Sequence, residues 1–253
     1  MKRILFVSIA FPPKSDAEGL QVAKYFRYLS RHKDLVFDVV TTPVPTLYMP
    51  LDPDLVSYAE GVDQLIEVGV KENRLLNIIR NRLGLDRFVF PDSRYSFFQQ
   101  YKKVLSSLQN RPDIIYSRSD PKSSTLMAYR LKTELQVPWI MHLSDPWADC
   151  PISRMSAYTK QKNQFWESRC VESADIITLT SQPTVDHFKN KYPHHAAKFK
   201  LFPNVYELIE DTVPSVQVST TQSTKLRIVF TGSMAAGRSP EYLLKPIFEA
   251  YQR

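Results

Sequence analysis

The stretch "WIMHLSDPWAD" (139–149) places three side chains able to do chemistry directly after a buried apolar run. We predict that Asp145 orients a ligand hydroxyl or accepts a proton, with His142 as a weaker catalytic candidate. Trp147 can stack on a ligand ring or wedge the loop in place. Simpler roles remain open, because His142 could be a satisfied core histidine and Asp145 a helix cap or turn residue.

Two further loops follow predicted strands. "FPPKSDAEGLQ" (11–21) carries Gly19 at the head of a helix, where free backbone N–H groups attract anions and glycine allows close backbone approach. The loop contains a single glycine and no GxGxxG pattern, so an ordinary strand-to-helix connection is the alternative. "SRSDPKSS" (117–124) is rich in hydroxyls. We take Glu18, Gly19, Ser119 and Trp147 as candidate ligand contacts.

Two stretches resemble metal sites without fitting one. Asp52-Pro53-Asp54 has the DxD pattern but lies in a Pro-rich loop without an adjacent strand, which predicts a turn. His194-His195 lies in a basic stretch with no third ligand nearby. We therefore expect no metal site and no cofactor.

A basic segment, "KENRLLNIIRNRLGLDRFVF" (71–90), combines an apolar face with the cations Arg74, Arg80 and Arg82. One interpretation is a surface helix packed on the sheet. The other is a basic amphipathic element that contacts an anionic membrane, with those three arginines as the contact candidates.

The composition favours a globular protein with anionic partners. The chain has 253 residues, of which 43% are hydrophobic, and 33 basic against 26 acidic residues give a net charge of +7. The two cysteines form no CxxC pair, which fits a reducing cytosol. No apolar run approaches the ~20 residues of a membrane helix. We expect a cytoplasmic protein, with peripheral attachment to the inner face of the cell membrane as a further hypothesis.

Continuous apolar runs alternate with helical patterns along the chain. Within each run the apolar residues are consecutive and do not alternate with polar ones. Both faces of each strand should therefore be buried, as in a doubly wound parallel α/β sheet. The predicted strands are 4–10, 37–41, 113–117, 139–143, 175–181, 199–202 and 226–232, with 64–70 as a weaker prediction. Predicted helix starts are a capping box at Ser15–Glu18, Asp120 as a cap before Pro121, and Ser181 before Pro183.

The region 204–225 is rich in Ser and Thr and precedes a fresh strand. It predicts an interdomain linker, with an irregular surface excursion as the alternative. We divide the chain into a Rossmann-like domain (1–203), the linker (204–225) and the first strand–helix unit of a second domain (226–253).

Several pieces in order resemble the amino-terminal half of GT-B glycosyltransferases of the large retaining group, family four. They are "ILFVSIAFPPKSDAEGLQVAKYFRYLS", "PDSRYSFFQQY", "RPDIIYSRSDPKSSTLMAYRLKTELQVPWIMHLSDPWAD", "ESADIITLTSQPTVDHF", "KFKLFPNVYE" and "LRIVFTGSMAAGRSPEYLLKPI". The resemblance implies two facing Rossmann-like domains, of which the second is only begun here. It therefore predicts a truncated chain that is inactive alone and binds nucleotide poorly.

The resemblance also implies roles for individual residues. Gly19 matches a glycine loop near the acceptor and donor phosphate, and Asp145 lies near a catalytic position. Gly232, Ser233 and Arg238 match the second-domain loop near the diphosphate, and Asn204 matches a Pro-Asn-Gly hinge whose glycine is Val205 here.

The implied function is metal-independent transfer, with retention, of a sugar from a nucleotide sugar to a lipid-linked or saccharide acceptor. The donor would be a substrate, and nucleic acid is not an expected partner. Two alternatives remain. One is a non-catalytic α/β module that binds anionic lipid or nucleic acid, and the other is a sugar-nucleotide epimerase of the same fold.

Overall fold

The computed structural model describes residues 1–44, 49–71, 75, 79, 90–150, 155–206, 229 and 239–251 of the chain. These residues form two compact units. The larger comprises Met1–Cys150 and Met155–Glu207, and the smaller contains the helix near the carboxyl end.

The larger unit is built on one parallel sheet. Its strands are β1 (Lys2–Val7), β2 (Leu35–Thr41), β3 (Val62–Glu67), β4 (Ile114–Ser119), β5 (Trp139–Leu143), β6 (Ile176–Leu179) and β7 (Phe199–Leu201). Their order across the sheet is β3-β2-β1-β4-β5-β6-β7, and every pairing is parallel. This doubly wound order confirms the predicted fold class.

Helices connect the strands and cover the sheet. They are α1 (Ala17–Leu29), α2 (Ser96–Gln99), α3 (Tyr101–Ser107), α4 (Lys122–Leu135), α5 (Ala157–Ser173) and α6 (Gln182–Lys191), with short 3-10 helices at Pro53–Ala59 and Pro193–Lys198. The chain leaves β1 toward β2 in one direction and β4 toward β5 in the other. Because such crossovers are right-handed, α1 and α4 cover opposite faces, and a crevice forms between β1 and β4.

Aromatic side chains fix α1 on its face of the sheet. Phe26 of α1 contacts Phe6 of β1 at a ring-centroid distance of 5.6 Å and Phe37 of β2 at 5.3 Å. All three rings are buried. Burial of rings this large is a principal source of folding free energy, so these contacts hold α1 firmly against β1 and β2.

The predicted strands that fall within the described residues agree with the structure in order and type. The prediction 139–143 matches β5 in full, whereas β1 begins and ends earlier than predicted and β6 is shorter. The weak prediction 64–70 corresponds to β3, which begins two residues earlier and ends at Glu67. As an edge strand, β3 has alternating burial in place of a continuous apolar run, so its sequence signal is weaker.

Two predicted helix caps are wrong. Asp16, and not Ser15, caps α1, because Asp16 Oδ1 accepts the Gly19 N–H at 2.7 Å. For α4, Asp120 is not the cap. The distant Asp92 accepts both the Ser123 N–H at 2.8 Å and the Ser123 hydroxyl at 2.7 Å.

The third predicted helix start is confirmed. Ser181 caps α6 by accepting the Thr184 N–H at 3.4 Å, and Pro183 follows in the first turn. A proline tolerates this position because its missing N–H would lack a partner inside the helix anyway.

The smaller unit contains α7 (Glu241–Tyr251). Most of the predicted linker and the predicted strand 226–232 lie outside the described residues, so the domain boundaries stay predictions. Among the residues described, no helix is both long enough and apolar enough to cross a bilayer.

Candidate functional site

The carboxyl ends of the central strands bring the predicted loops to one edge of the sheet. After β1, the Ile9 N–H donates to Ser124 Oγ of α4 at 3.0 Å. After β5, the Ser144 N–H donates to the Ser119 carbonyl at the end of β4 at 3.4 Å. These loops therefore adjoin the crevice between β1 and β4, where ligands bind in open α/β sheets.

Gly19 is required by packing. A Cβ at this position would lie 2.3 Å from the Lys14 carbonyl oxygen, so even alanine would collide with the backbone. Its N–H is already donated to Asp16, and the residue is buried. The prediction that this amide meets a ligand phosphate is therefore not supported by the geometry, although the need for glycine is.

Both carboxylate oxygens of Glu18 have hydrogen-bond partners within the protein. Oε1 accepts from Arg118 Nε at 2.8 Å, and Oε2 accepts from the Ser144 hydroxyl at 2.6 Å. Burial raises the pKa of Glu18 to about 7, against the opposing effect of the Arg118 charge. Glu18 thus links two loops within the protein, and its role as a substrate contact stays a prediction.

Arg118 is the functional candidate that the sequence did not reveal. Its side chain is fully buried, its guanidinium carbon lies 4.2 Å from the Tyr25 ring centroid, and Nη2 donates to Asn204 Oδ1 at 3.5 Å. Nη1 has no hydrogen-bond partner within the described ranges. The only sequence signal was a cation inside the strand "IIYSRS", where a buried arginine needs a carboxylate partner.

His142 is a core residue. Its side chain is fully buried, and Nδ1 shares a hydrogen bond of 2.9 Å with Thr178 Oγ1. Burial, reinforced by the Arg118 charge, lowers the pKa of His142 to about 2, so the ring is neutral at physiological pH. A sealed neutral imidazole cannot exchange protons with a substrate. The geometry therefore favours the alternative, a core histidine, and a catalytic role for His142 stays a prediction.

Ser119 is also buried. It is fully buried, and its hydroxyl has no hydrogen-bond partner in the part of the chain that the structure describes. Its contribution to the edge is its carbonyl, which accepts the Ser144 N–H. The role of Ser119 as a ligand contact stays a prediction.

Asp145 remains the accessible candidate. The residue is exposed and lies immediately after Ser144 at the edge. It also acts on a nearby cation. Although burial works against its charge, the carboxylates of Asp120, Asp145 and Asp92 together raise the pKa of Lys122. The Lys122 side chain is buried, and its ammonium donates to Asp120 Oδ1 at 2.6 Å while also interacting electrostatically with Asp145. Lys122 was not among the predicted residues.

Trp147 fixes the far end of the same loop. Only 2% of its surface is exposed, and its indole N–H donates to Asn163 Oδ1 at 2.6 Å. The next residue, Ala148, donates its N–H to the buried Glu167 at 2.8 Å. Of the two roles considered for Trp147, the geometry agrees with the wedge and leaves no ring face for ligand stacking.

A charged network holds that anchor in place. Lys191 Nζ donates to Glu167 Oε1 and to Asp149 Oδ2, each at 2.5 Å, and the Tyr192 hydroxyl donates to Glu167 at 2.6 Å. Glu167 is buried, so its charge is offset by these donors. The loop 144–149 is consequently fastened at both ends, with Asp145 exposed between.

The DxD stretch is a turn, as predicted. Asp52 Oδ1 accepts the Asp54 N–H at 3.0 Å and caps a short 3-10 helix. Over the described residues, no cluster of three or more potential metal ligands occurs.

The remaining predicted residues lie outside the described part of the chain. They are Gly232, Ser233 and Arg238, and the cations Arg74, Arg80 and Arg82. Of the apolar face predicted for the basic segment, Leu75 and Ile79 are described, and their exposed fractions are 72% and 49%. For these two residues the structure favours an exposed apolar face over one packed on the sheet.

Comparison with solved structures identifies the fold. Sucrose-phosphate synthase from Thermosynechococcus elongatus matches with a TM-score of 0.54 and 15% identity, over 80% of this chain and 48% of that chain. The fold is that of a GT-B amino-terminal domain. No protein-family profile matches the chain, and no curated protein matches it.

Two further structures match more weakly. Anabaena HepE in complex with UDP has a TM-score of 0.43 at 12% identity, over 82% of this chain and 45% of that one. Arabidopsis thaliana UGT89C1 complexed with UDP-L-rhamnose has a TM-score of 0.46 at 12% identity, over 81% of this chain and 53% of that one. The chain thus spans about half the length of the structures that it matches.

Proposed function

We propose that this chain is the acceptor-side half of a metal-independent glycosyltransferase that acts in a longer protein. The enzyme would transfer a sugar from a nucleotide sugar to a lipid-linked or saccharide acceptor, with retention of configuration. The observation that carries the proposal is the exposed Asp145, held between two anchors at the crevice of a GT-B-type sheet.

Asp145 supplies an acceptor-side role that suits its surroundings. An exposed carboxylate at the crevice can accept a hydrogen bond from an acceptor hydroxyl and orient it for reaction. Lys122 lies within electrostatic reach and can offset negative charge that develops on a leaving diphosphate. The proposal assigns the closer diphosphate contacts to Gly232, Ser233 and Arg238.

The proposal includes an anionic membrane as a second partner. The net charge of +7 suits anionic lipid, and the exposed Leu75 and Ile79 supply an apolar face for the predicted basic segment. Arg74, Arg80 and Arg82 are its proposed contacts with lipid phosphate. The protein would then work in the cytoplasm, at the inner face of the cell membrane.

The test is transfer by the full-length protein from a panel of radiolabelled nucleotide sugars to extracted lipid and saccharide acceptors. Asp145→Asn removes the charge of the proposed site and should lower kcat at least a hundredfold with little change in Tm, since the residue is exposed. Asp186→Asn is the matched control, because Asp186 is an exposed carboxylate on α6 whose Oδ1 accepts from Gln182 of the same helix at 2.8 Å.

The outcomes separate the candidate functions. Transfer that is lost in Asp145→Asn and kept in Asp186→Asn supports the transferase. Interconversion of the nucleotide sugar without transfer would replace it by an epimerase. If neither reaction occurs and the protein sediments with anionic vesicles or shifts DNA, a non-catalytic binding module is the better description.

A further inference from the structure

Four separate chain segments meet in one cluster beneath the candidate loop, and of its members Arg118 is fully buried. Glu18 comes from the head of α1, Arg118 from the end of β4, Ser144 from the start of the loop after β5, and Asn204 from the segment after β7. We call this set the crevice clamp. Its members are far apart in sequence, so the clamp exists only in the folded state.

The clamp fixes Ser144 through both its side chain and its backbone. The Ser144 hydroxyl donates to Glu18 at 2.6 Å, and its carbonyl accepts from the Thr180 hydroxyl at 2.9 Å. Its N–H donates to the Ser119 carbonyl at 3.4 Å. Every polar group of Ser144 is therefore engaged, and the backbone that leads into Asp145 has little freedom.

Arg118 makes the Glu18 contact rigid. The arginine is fully buried and the Glu18 side chain is 10% exposed, so their 2.8 Å ion pair is weakly screened by water. The Tyr25 ring lies against the guanidinium, and the Tyr25 hydroxyl donates to the Pro203 carbonyl. The orientation of the Glu18 carboxylate is thus determined by groups on α1, β4 and the segment after β7.

We propose that Glu18, Arg118 and Ser144 are positioning residues that hold Asp145 at the angle and distance that transfer requires, without touching substrate. This inference rests on the proposed transferase function. The second anchor, Trp147 with Asn163, fixes the other end of the loop, so only Asp145 and Pro146 lie between the two anchors. Small displacements of a reacting group can lower the reaction rate strongly. A clamp that fixes the position of Asp145 would therefore raise the rate.

The first experiment changes Ser144 alone, because removing Arg118 or Glu18 would leave a buried unpaired charge and risk unfolding. In the full-length protein, Ser144→Ala deletes the hydroxyl that joins the loop to Glu18 and leaves the ion pair intact. We expect kcat to fall about tenfold, equivalent to about 1.4 kcal/mol, with the KM for donor within about twofold. Ser144→Thr keeps a hydroxyl and should recover most of the rate.

The matched control is Ser168→Ala. Ser168 is exposed on α5, and its hydroxyl donates to the Phe165 carbonyl of its own helix at 2.9 Å. We expect this variant to keep both kcat and KM. A kcat loss in Ser144→Ala that Ser144→Thr does not recover, or an equal loss in Ser168→Ala, would overturn the positioning role.

Amide hydrogen exchange gives a readout that does not need activity. Ser144→Ala should accelerate exchange in the peptide covering 144–149 by about tenfold, while Ser168→Ala should not. If the full-length protein shows no transfer but this acceleration is present, the proposed function fails and the clamp stands. If transfer is present and exchange in 144–149 is unchanged, the positioning inference fails and the proposed function stands.

Discussion

His142 offers the sharpest test of the electrostatics at the crevice. The folded protein holds this imidazole neutral, with a pKa of about 2, whereas its ordinary value is 6.5. As the pH falls below 6.5, the unfolded chain takes up a proton that the folded protein refuses. The contribution of His142 to stability is therefore complete above pH 6.5 and is lost as the pH falls from there toward 2.

The size of the loss follows from the two pKa values. A pH of about 5 lies about 1.5 units below the pKa of the unfolded imidazole, and each unit favours the protonated unfolded chain by about 1.36 kcal/mol. The buried ring stays neutral at this pH and gains no such stabilisation. The free energy of unfolding should therefore be about 2 kcal/mol lower at about pH 5 than at about pH 7.5 through this residue alone. In a domain of this size that corresponds to a Tm shift of roughly 4–8 °C.

A second group masks this effect in the unsubstituted protein. The pKa of Glu18 is raised from 4.5 to about 7, so the folded state binds a proton that the unfolded state releases. Glu18 therefore stabilises the fold increasingly as the pH falls from 7 toward 4.5, which is the opposite sign. The wild-type pH profile alone can be nearly flat, and the measurement has to be a difference between variants.

The assay is urea unfolding of wild type and His142→Asn at about pH 7.5 and about pH 5. Asn cannot ionise, and its amide can replace the Nδ1 hydrogen bond to Thr178. The substitution also changes packing, and that effect on the free energy of unfolding is the same at both pH values. The informative quantity is therefore how the difference in free energy of unfolding between wild type and variant changes with pH. We expect wild type to lose about 2 kcal/mol relative to the variant on acidification.

The matched control is His194→Gln, since His194 is exposed. Its difference from wild type should not depend on pH by more than a few tenths of a kcal/mol. A His142→Asn difference that is equally independent of pH would show that His142 gains a proton in the folded protein. Burial and the neighbouring Arg118 would then not control its charge.

Two further predictions concern the packing that builds the edge. Gly19→Ala should lower the free energy of unfolding, measured by chemical denaturation, by roughly 3 kcal/mol, because its Cβ would lie 2.3 Å from the Lys14 carbonyl oxygen. Gly69→Ala is the control, since a Cβ at Gly69 meets nothing within 4 Å and should leave that free energy nearly unchanged. Glu167→Ala should lower the free energy of unfolding by about 3 kcal/mol. It should also speed hydrogen exchange of the Ala148 amide, which now donates to the Glu167 carboxylate. An unchanged exchange rate at Ala148 would contradict the role of Glu167 in the second anchor.

The fold was predictable because its signals are local. A buried parallel strand needs apolar side chains on both faces. The five residues "WIMHL" are mostly apolar and consecutive, which is why the predicted bounds match β5. The order of strands and helices then leaves few topologies. The edge strand β3 gave a weaker signal, because its side chains alternate between sheltered and exposed and polar residues interrupt its apolar run.

The helix caps and the site depend on distant partners, which local rules cannot see. The spacing of Ser15 and Glu18 predicts a capping box, but Glu18 is drawn away to Arg118, a hundred residues along the chain. Likewise Asp92 caps α4 from a different segment, so Asp120 is free to bind Lys122 at 2.6 Å. A local motif fails when a buried charge elsewhere competes for the same side chain.

That competition also explains which candidate residues remain plausible ligand contacts. Polar residues at strand ends were chosen because ligands bind there, yet the same edge must join adjacent loops, and joining requires buried polar groups with mutual partners. Glu18 and His142 have their partners within the protein, and Ser119 is buried. Asp145 is the one candidate among the described residues that is both exposed and close to an opposite charge. The chemistry of the crevice should therefore respond most strongly to this carboxylate, and to its neighbours only through the position they give it.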